Sequence, residues 1–152
     1  MPDVKTVAQY IIAFFQKAGD PVSNLKLQKL LYYVQGWHMG LNDGKPAFDG
    51  TFQAWVHGPV NPDVYHLYKG YRWNPIDAEM GIPDGLGDDL TKHIREVLEV
   101  YGVDSGWELE RRTHLEAPWI EARKGLPPDA ESTEVITSDS MTYFFKEQAA
   151  AA

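Results

Sequence analysis

One stretch of the chain, Leu25 to Leu41, constrains the fold more than any other part of the sequence. It reads LKLQKLLYYVQGWHMGL, and Ser23 stands before it as a suitable N-cap. The helical stripe comprises Leu27, Leu30, Leu31, Val34 and Leu41, with His38 among them, and the opposite face carries Leu25, Tyr32, Tyr33 and Gly36. A helix that is apolar nearly all round is usually buried on more than one side, so this segment is predicted to be the central helix of the fold.

Composition indicates one domain and restricts its partners. The chain has 152 residues, of which 43% are hydrophobic, and this suffices for one core but not for two. Its formal net charge of −8 disfavours nucleic acid and favours a basic partner. The absence of cysteine predicts a cytoplasmic protein without disulfides or thiolate metal sites. The first residues lack a signal-peptide pattern, and no apolar run approaches the ~20 residues of a membrane span, so no membrane association is predicted.

The N-terminal half is predicted to hold two long helices, a short β element and a third helix. Asp3 caps a first helix that ends near Ala18. Residues 52–56 are predicted to form a strand or hairpin bracketed by the Asp49-Gly50 turn. Residues 57–62, HGPVNP, are predicted to be a rigid connector, because each proline favours extended geometry in the residue before it. Its last two residues, Asn and Pro, are suited to cap and start a short helix.

The C-terminal half is predicted to alternate helices and loops. Residues 71–87 contain four glycines or prolines in their second half and are predicted to be a long loop. A helix follows over residues 88–102, and a capping box beginning at Ser105 opens another. Pro118 suits the first turn of a further short helix. The polar residues 125–134 are predicted to be loop.

These elements predict a mostly α fold. The last helix is expected to begin at a cap formed by Ser138 or Asp139. The sum is a single compact helical domain of six or seven helices around a buried central helix, with a small β-hairpin element. The domain is predicted to span residues 1–148, and Ala149–Ala152 are predicted to be a disordered tail.

Residue types that carry catalysis or bind metals show no recognised spacing. The five histidines lack the i, i+4 pairing of a helical zinc site, and no G-x-S-x-G elbow is present. The acidic loop Ile82–Asp89 would repel phosphate. The sequence therefore predicts no catalytic residue, no metal site, no cofactor and no enzyme. One alternative stays open, a small hydrolase or metal-dependent enzyme that uses His57, His114 and a nearby carboxylate; otherwise both histidines bind the backbone at the ends of elements.

Aromatic residues around the connector form the predicted binding surface. Trp55 and Tyr65 flank His57, and Trp and Tyr commonly anchor protein interfaces. Lys29 and Tyr32 of the central helix are predicted to lie beside them and to contact a partner. The alternatives are that Trp55 packs in the core and that Lys29 forms an internal ion pair.

Three ordered blocks resemble the motifs of one bacterial and phage-associated family. The first is LQKLLYY at 27–33, followed by Trp37; the second is FQAWVHGPV at 52–60, continuing to Tyr68; the third is THLEAPW at 113–119. In these blocks the chain is similar to the Panacea domain of SocA-like antitoxins, also called phage-associated GepA-like proteins. The resemblance covers nearly the whole chain.

The resemblance implies an antitoxin of a toxin–antitoxin pair, which neutralises a cognate toxin by direct protein–protein contact and has no enzyme activity. The loop of residues 71–87 is expected to add contacts to the toxin. An alternative within the family is a proteolytic adapter that delivers its toxin to a Clp protease, and a homodimer is a further alternative. The DNA-binding segments of some family members have no counterpart in this sequence, so nucleic acid is not an expected partner.

Overall fold

The central helix predicted from the sequence is the core of the structure, a computed structural model that describes all 152 residues. Seven α-helices and one three-stranded sheet make up the fold. The elements are α1 (Val4–Lys17), α2 (Asn24–Leu41), β1 (Phe52–Trp55), β2 (Gly58–Val60), α3 (Pro62–Tyr68), α4 (Asp88–Tyr101), α5 (Gly106–Thr113), α6 (Ala117–Ala122), β3 (Val135–Ile136) and α7 (Ser138–Ala151). The predicted mostly α, single-domain architecture is confirmed.

Helix α2 is surrounded by other elements on nearly every side. Thirteen of its 18 residues are buried. It packs against α1, α3, α4, α5, α7 and strand β2. Burial of this kind is the reason that the sequence of α2 lacks a polar face.

Two glycines of α2 allow α7 to approach closely. Gly36 and Gly40 lie one turn apart, and the ring of Phe145 fills the space beside them. A Cβ atom at Gly40 would lie 2.6 Å from the backbone carbonyl carbon of Phe145. The contact between these helices therefore involves backbone as well as side chains, which only glycine permits.

The predicted helix caps are mostly correct. The side chains of Asp3, Ser23 and Asn61 each accept a backbone N–H hydrogen bond at the start of a helix. Ser105 and Glu108 form the predicted capping box of α5. Helix α7 is capped by Thr137, one residue before the predicted Ser138 or Asp139, because Thr137 accepts the Ser140 N–H.

The β element differs from the prediction. The hairpin joins β1 to β2, with Gln53 opposite Val60 and Trp55 opposite Gly58. Its turn lies at Val56 and His57, so the Asp49-Gly50 turn does not bracket it, and the predicted connector contains the second strand. Pro59 is tolerated there because β2 is an edge strand, which leaves no ladder hydrogen bond for the missing N–H to make. Strand β3, only two residues long, pairs with the other side of β1 and was not predicted.

The predicted loop after α3 is confirmed, and part of it packs on the core. A 3-10 turn at Lys69–Tyr71 precedes it. The side chain of Ile76 is buried, and its N–H donates to the carbonyl oxygen of Val22. Gln16 of α1 donates to the carbonyl oxygens of Ile76 and Ala78. These bonds hold the loop against α1 and the start of α2.

The C-terminal alanines belong to the last helix. Helix α7 continues through Ala151, so three of the four alanines of the predicted disordered tail are helical. Alanine has the highest intrinsic helix propensity, and a run of alanines extends a helix that tertiary contacts have already nucleated. None of the helices is both long enough and apolar enough to cross a membrane.

Candidate protein-binding groove

A groove of about 370 Å³ lies between the start of α2, the hairpin and α3. Eleven residues line it. Its floor is formed by α2, one wall by Trp55 and Tyr65, and its rim by His57 and the segment that follows α3. We call this feature the basic groove, because none of its lining residues is acidic while Lys29 lines its floor and Lys69 and Arg72 its rim.

The floor of the basic groove is a buried lysine. Lys29 is fully buried, and its ammonium donates to the carbonyl oxygen of Pro59 at 3.0 Å. Burial lowers the pKa of Lys29 to about 7, and the charge of Glu110 opposes part of this shift. The side chain therefore joins α2 to the edge strand and does not project into solvent, so the structure gives Lys29 a supporting place beneath the groove instead of the predicted partner contact. Its hydrogen bond goes to a backbone carbonyl oxygen and not to the carboxylate of the alternative ion pair.

A chain of buried amides supports the same junction. Gln28 accepts the backbone N–H of Asn61 at 2.8 Å and donates to the side chain of Asn24 at 3.1 Å. Asn24 in turn donates to the carbonyl oxygen of Tyr65 at 3.1 Å. Buried polar groups that are fully paired fix one arrangement of the elements they join. The motif pair Gln28 and Lys29 thus positions β2 and α3 against α2.

The walls of the groove are aromatic. The rings of Trp55 and Tyr65 meet edge to face, with centroids 4.9 Å apart. The indole N–H of Trp55 donates to Gln53 at 2.8 Å, and the carbonyl oxygen of Trp55 accepts the indole N–H of Trp119 at 2.7 Å. Trp55 is half-buried, so it supports the hairpin and also presents a face to the groove. The packing interpretation of this residue describes part of its environment, and its contact with a partner stays a prediction.

An exposed aromatic cluster adjoins the groove. Trp73 and Trp107 stack with centroids 5.8 Å apart, and they are 66% and 56% exposed. The ring of His57 contacts both edge to face, at 6.0 and 6.1 Å. We call these three residues the aromatic cluster. Two stacked tryptophans that remain more than half exposed are unusual on a protein surface unless a partner covers them.

His57 is held by a carboxylate and not by backbone. Its Nδ1 lies 3.0 Å from Glu110 of α5, and about half of the His57 side chain is exposed. The expected backbone hydrogen bond of His57 is therefore replaced by a contact to Glu110. This contact links the hairpin turn to α5 and places the imidazole between the two tryptophans.

His114 occupies a different environment. Its ring stacks on Trp119 at 4.1 Å, and burial lowers its pKa. The charge of Glu110 opposes part of this shift. No group of three His, Cys, Asp or Glu side chains is placed to hold a metal ion.

The predicted binding residues fall into two groups. Trp55, His57 and Tyr65 line the basic groove, with Lys29 beneath them. Tyr32 does not reach it. This side chain is fully buried, and its ring contacts Phe52 and Phe145 within the core. Tyr32 therefore lies in the core and not at the predicted partner-binding surface, because a helix that is apolar all round gives no periodic signal that separates a buried tyrosine from a surface one.

Seven of the eleven groove residues were not predicted as site residues, and three of the seven belong to the segment after α3. Lys69, Arg72 and Trp73 follow α3, where the sequence has no periodicity. Arg72 adopts a φ of 56° and a ψ of −119°, a region that non-glycine residues rarely occupy. This turn brings Arg72 and Trp73 to the groove. The expectation that residues 71–87 add contacts to a partner stays a prediction, and Arg72 and Trp73 are the residues of this segment that line the groove.

Comparison with known proteins decides the family. The profile of the family described as "Antitoxin SocA-like, Panacea domain" matches residues 27–120, more than half of the chain. The chain belongs to this family of SocA-like Panacea-domain antitoxins. The matched region begins in α2 and ends in α6, so it contains nine of the eleven residues of the basic groove and both residues of the His57–Glu110 contact. The predicted family resemblance is confirmed.

One curated Panacea-domain relative is Antitoxin SocA of Caulobacter vibrioides. The two sequences are 39% identical over 67 residues, which are 44% of this chain and 35% of the relative. The match thus spans about a third of the relative's length. No solved structure matches the chain significantly.

Proposed function

We propose that this protein is a cytoplasmic antitoxin that neutralises a cognate toxin by binding it directly, without a catalytic step. Its membership of the SocA-like Panacea-domain family supports the antitoxin role. The cysteine-free sequence suits a reducing compartment. The observation that carries the binding mechanism is the exposed stacking of Trp73 on Trp107 beside the groove.

The aromatic cluster has the properties of an interface centre. Tryptophan is enriched among residues whose truncation costs most binding energy, because it buries a large area with little loss of conformational entropy. Here both indoles rest on the His57 ring, which Glu110 holds in place. The cluster is therefore already ordered before a partner arrives, and ordering costs on binding are reduced.

A hydrolase is less well supported by the same residues. His57 hydrogen-bonds only to Glu110, and the nearby hydroxyl of Thr113 donates to the backbone carbonyl oxygen of Glu110 at 2.8 Å. A nucleophile activated by histidine needs a hydrogen bond between the two groups. The contact between His57 and Glu110 orients a surface ring and supports a binding role.

Co-expression with the product of the adjacent gene tests the proposal. We expect the neighbouring protein to arrest growth alone and to be tolerated, in a stable complex of defined stoichiometry, when this protein is present. An unchanged toxin level on immunoblots would indicate masking, and a falling level would indicate delivery to a protease. Absence of toxicity alone, or absence of rescue together, would contradict the proposed function.

Two variants address the aromatic cluster. Replacing both Trp73 and Trp107 by alanine is expected to weaken toxin binding by about tenfold or more, with little change in thermal stability because both rings are mostly exposed. Tyr143→Ala is a matched control, since Tyr143 is an exposed aromatic residue of α7 that lies outside the groove. Equal loss of binding in the control would indicate a nonspecific effect of removing surface aromatics.

A further inference from the structure

The basic groove has a local charge opposite to that of the whole protein. The chain carries a formal net charge of −8, yet the groove residues include Lys29, Lys69 and Arg72 and no carboxylate. The carboxylate of Glu110, whose charge acts on Lys29, contacts His57 at the rim. Because charges beyond a Debye length of about 8 Å are largely screened at physiological salt, the two exposed cations at the rim, Lys69 and Arg72, determine which charge the groove accepts.

Next to the cations the groove offers apolar surface. Trp55, Tyr65 and Trp73 line it together with Val60, and its volume of about 370 Å³ lies within the range of pockets that hold small ligands or a few side chains. Lys69 and Arg72 are both exposed at the rim. A ligand that contacts both the cations and the apolar surface of the groove therefore combines a negative charge with an aromatic or aliphatic group.

The rest of the molecule favours a protein segment over a nucleic acid as this occupant. Nucleic-acid binding depends on several lysines and arginines placed along a phosphate backbone. Here the basic rim is limited to two exposed residues, and the surrounding chain is strongly acidic. A short peptide segment presents one or two carboxylates and needs no longer track of positive charge.

We propose that the basic groove receives an acidic segment of the toxin, in which a carboxylate side chain adjoins an aromatic or aliphatic one. The carboxylate binds Lys69 and Arg72 at the rim, and the apolar side chain packs against Trp55, Tyr65 and Trp73. This inference rests on the proposed antitoxin function and adds the chemistry of the segment that is recognised. Arginine can bind a carboxylate through two parallel hydrogen bonds, which gives both strength and orientation.

The floor and the backbone of the groove are fixed before binding. Lys29 is tied to Pro59, and Gly58 has no room for a side chain, because a Cβ atom there would lie 2.7 Å from Cε of Lys29 and 2.9 Å from Oγ1 of Thr113. The groove therefore keeps its shape in the absence of an occupant. A preformed site of this kind selects partners by complementarity and loses little entropy on binding.

Fluorescence polarisation with two labelled pentapeptides tests the chemistry. The probe EFDWE carries the proposed combination, and QFNWQ is its matched neutral control. We expect the full chain to bind EFDWE at least about tenfold more tightly than QFNWQ, since a charged hydrogen bond contributes more than a neutral one. Equal affinity for both peptides, or no binding of EFDWE, would overturn the inference.

Reversing the charges of the two rim residues tests whether EFDWE binds in the basic groove. Lys69→Glu combined with Arg72→Glu is expected to abolish the preference for EFDWE. The control, Lys5→Glu combined with Arg95→Glu, changes the net charge equally at two exposed positions outside the groove and is expected to keep the preference. Circular dichroism and thermal melting verify that both variants fold. If both variants lose the preference equally, or if neither does, the groove is not the site.

The toxin assay separates this inference from the proposed function. If the wild-type protein rescues growth and the Lys69→Glu/Arg72→Glu variant does not, while the control variant does, both are supported. If all three proteins rescue equally, the antitoxin function stands and the groove inference is wrong. If the wild-type protein does not rescue, the proposed function is wrong, and the peptide measurement alone decides what the groove binds.

Self-association that the rim variant loses would assign the groove to a second copy of this chain and overturn the inference.

Discussion

The ammonium of Lys29 donates a hydrogen bond of 3.0 Å to the carbonyl oxygen of Pro59 and so joins the central helix to the edge strand of the sheet. A lysine in this position fills a role that few residues could fill, because its long apolar stem lies inside the core and its amine reaches the backbone of the strand. Burial disfavours the charged form of Lys29, and the pKa of its side chain is lowered for this reason.

Replacing Lys29 by methionine is expected to remove part of the pH dependence of stability. The pKa of Lys29 is about 7 in the folded protein and 10.5 in the reference state. Between these values the unfolded chain binds a proton that the folded chain has lost, so the free energy of unfolding rises with pH from 7 towards 10. Lys29→Met eliminates this rise. Urea denaturation at pH 7, 8 and 9 measures it.

The control for this experiment is Lys92→Met, because Lys92 is exposed on α4. Its free energy of unfolding should follow the wild-type pH dependence. If wild type and Lys29→Met differ by a constant amount from pH 7 to pH 9, then the lysine does not titrate with a lowered pKa in the folded state.

Glu116 is expected to produce the opposite pH dependence at lower pH. Burial raises its pKa to about 7, although a hydrogen bond from the Tyr33 hydroxyl opposes the shift. Between pH 4.5 and 7 the folded chain holds a proton that the unfolded chain has released, so the free energy of unfolding falls as pH rises. Glu116→Gln keeps an acceptor for Tyr33 and removes this fall. Thermal melts from pH 4.5 to 8 measure the difference, and a constant difference across that range would refute the prediction.

Gly58→Ala is expected to destabilise the protein strongly. Gly58 has a φ of 104°, where a non-glycine residue costs ~1–3 kcal/mol, and its new Cβ would contact Lys29 and Thr113 at less than 3 Å. Gly70→Ala is the matched control, because nothing lies within 4 Å of its Cβ position and its φ is not positive. Urea denaturation should show a large loss for the first variant and a change within about 0.5 kcal/mol for the second. Similar values for the two would mean that the turn and its neighbours relax freely.

Gly40→Ala is expected to cost more stability than Gly36→Ala, although both changes raise helix propensity by ~1 kcal/mol. At Gly36 the three atoms nearest to the new methyl group all belong to the ring of Phe145, whereas at Gly40 they include the backbone of Phe145 and Lys146. The clash with the Phe145 ring can be relieved by a change of rotamer or by a smaller side chain. The clash with the backbone can be relieved only if helix α7 moves away from α2. Phe145→Leu should therefore rescue Gly36→Ala partially and Gly40→Ala hardly at all, which a double-mutant cycle by thermal denaturation determines.

Local sequence signals predicted the helices and their caps. The cap residues Asp3, Ser23, Asn61 and Ser105 act on N–H groups two or three positions away, so a short window of sequence contains the whole interaction. The sheet was predicted less well, because its strands are too short to leave a local signal in the sequence. The partner of β1 contains a proline, and β3 consists of two residues, so neither strand has enough length to show an alternating pattern.

The candidate site depends on contacts between distant parts of the chain. Trp55, His57 and Tyr65 were found because they cluster around one short motif. Arg72 and Trp73 lie in a loop, and Trp107 opens a helix elsewhere, so no sequence pattern relates them. Helix periodicity also could not separate Lys29 and Tyr32, which are buried, from residues at the surface.

Periodicity, caps and short motifs are local properties of a chain, and they were enough to predict helices around one apolar helix and membership of a family of antitoxins. Which side chains reach solvent, and which cations and aromatic rings meet in the groove, became known from the folded protein. Burial and charge depend on every element packed around a residue, and on α2 those elements come from nearly the whole length of the chain.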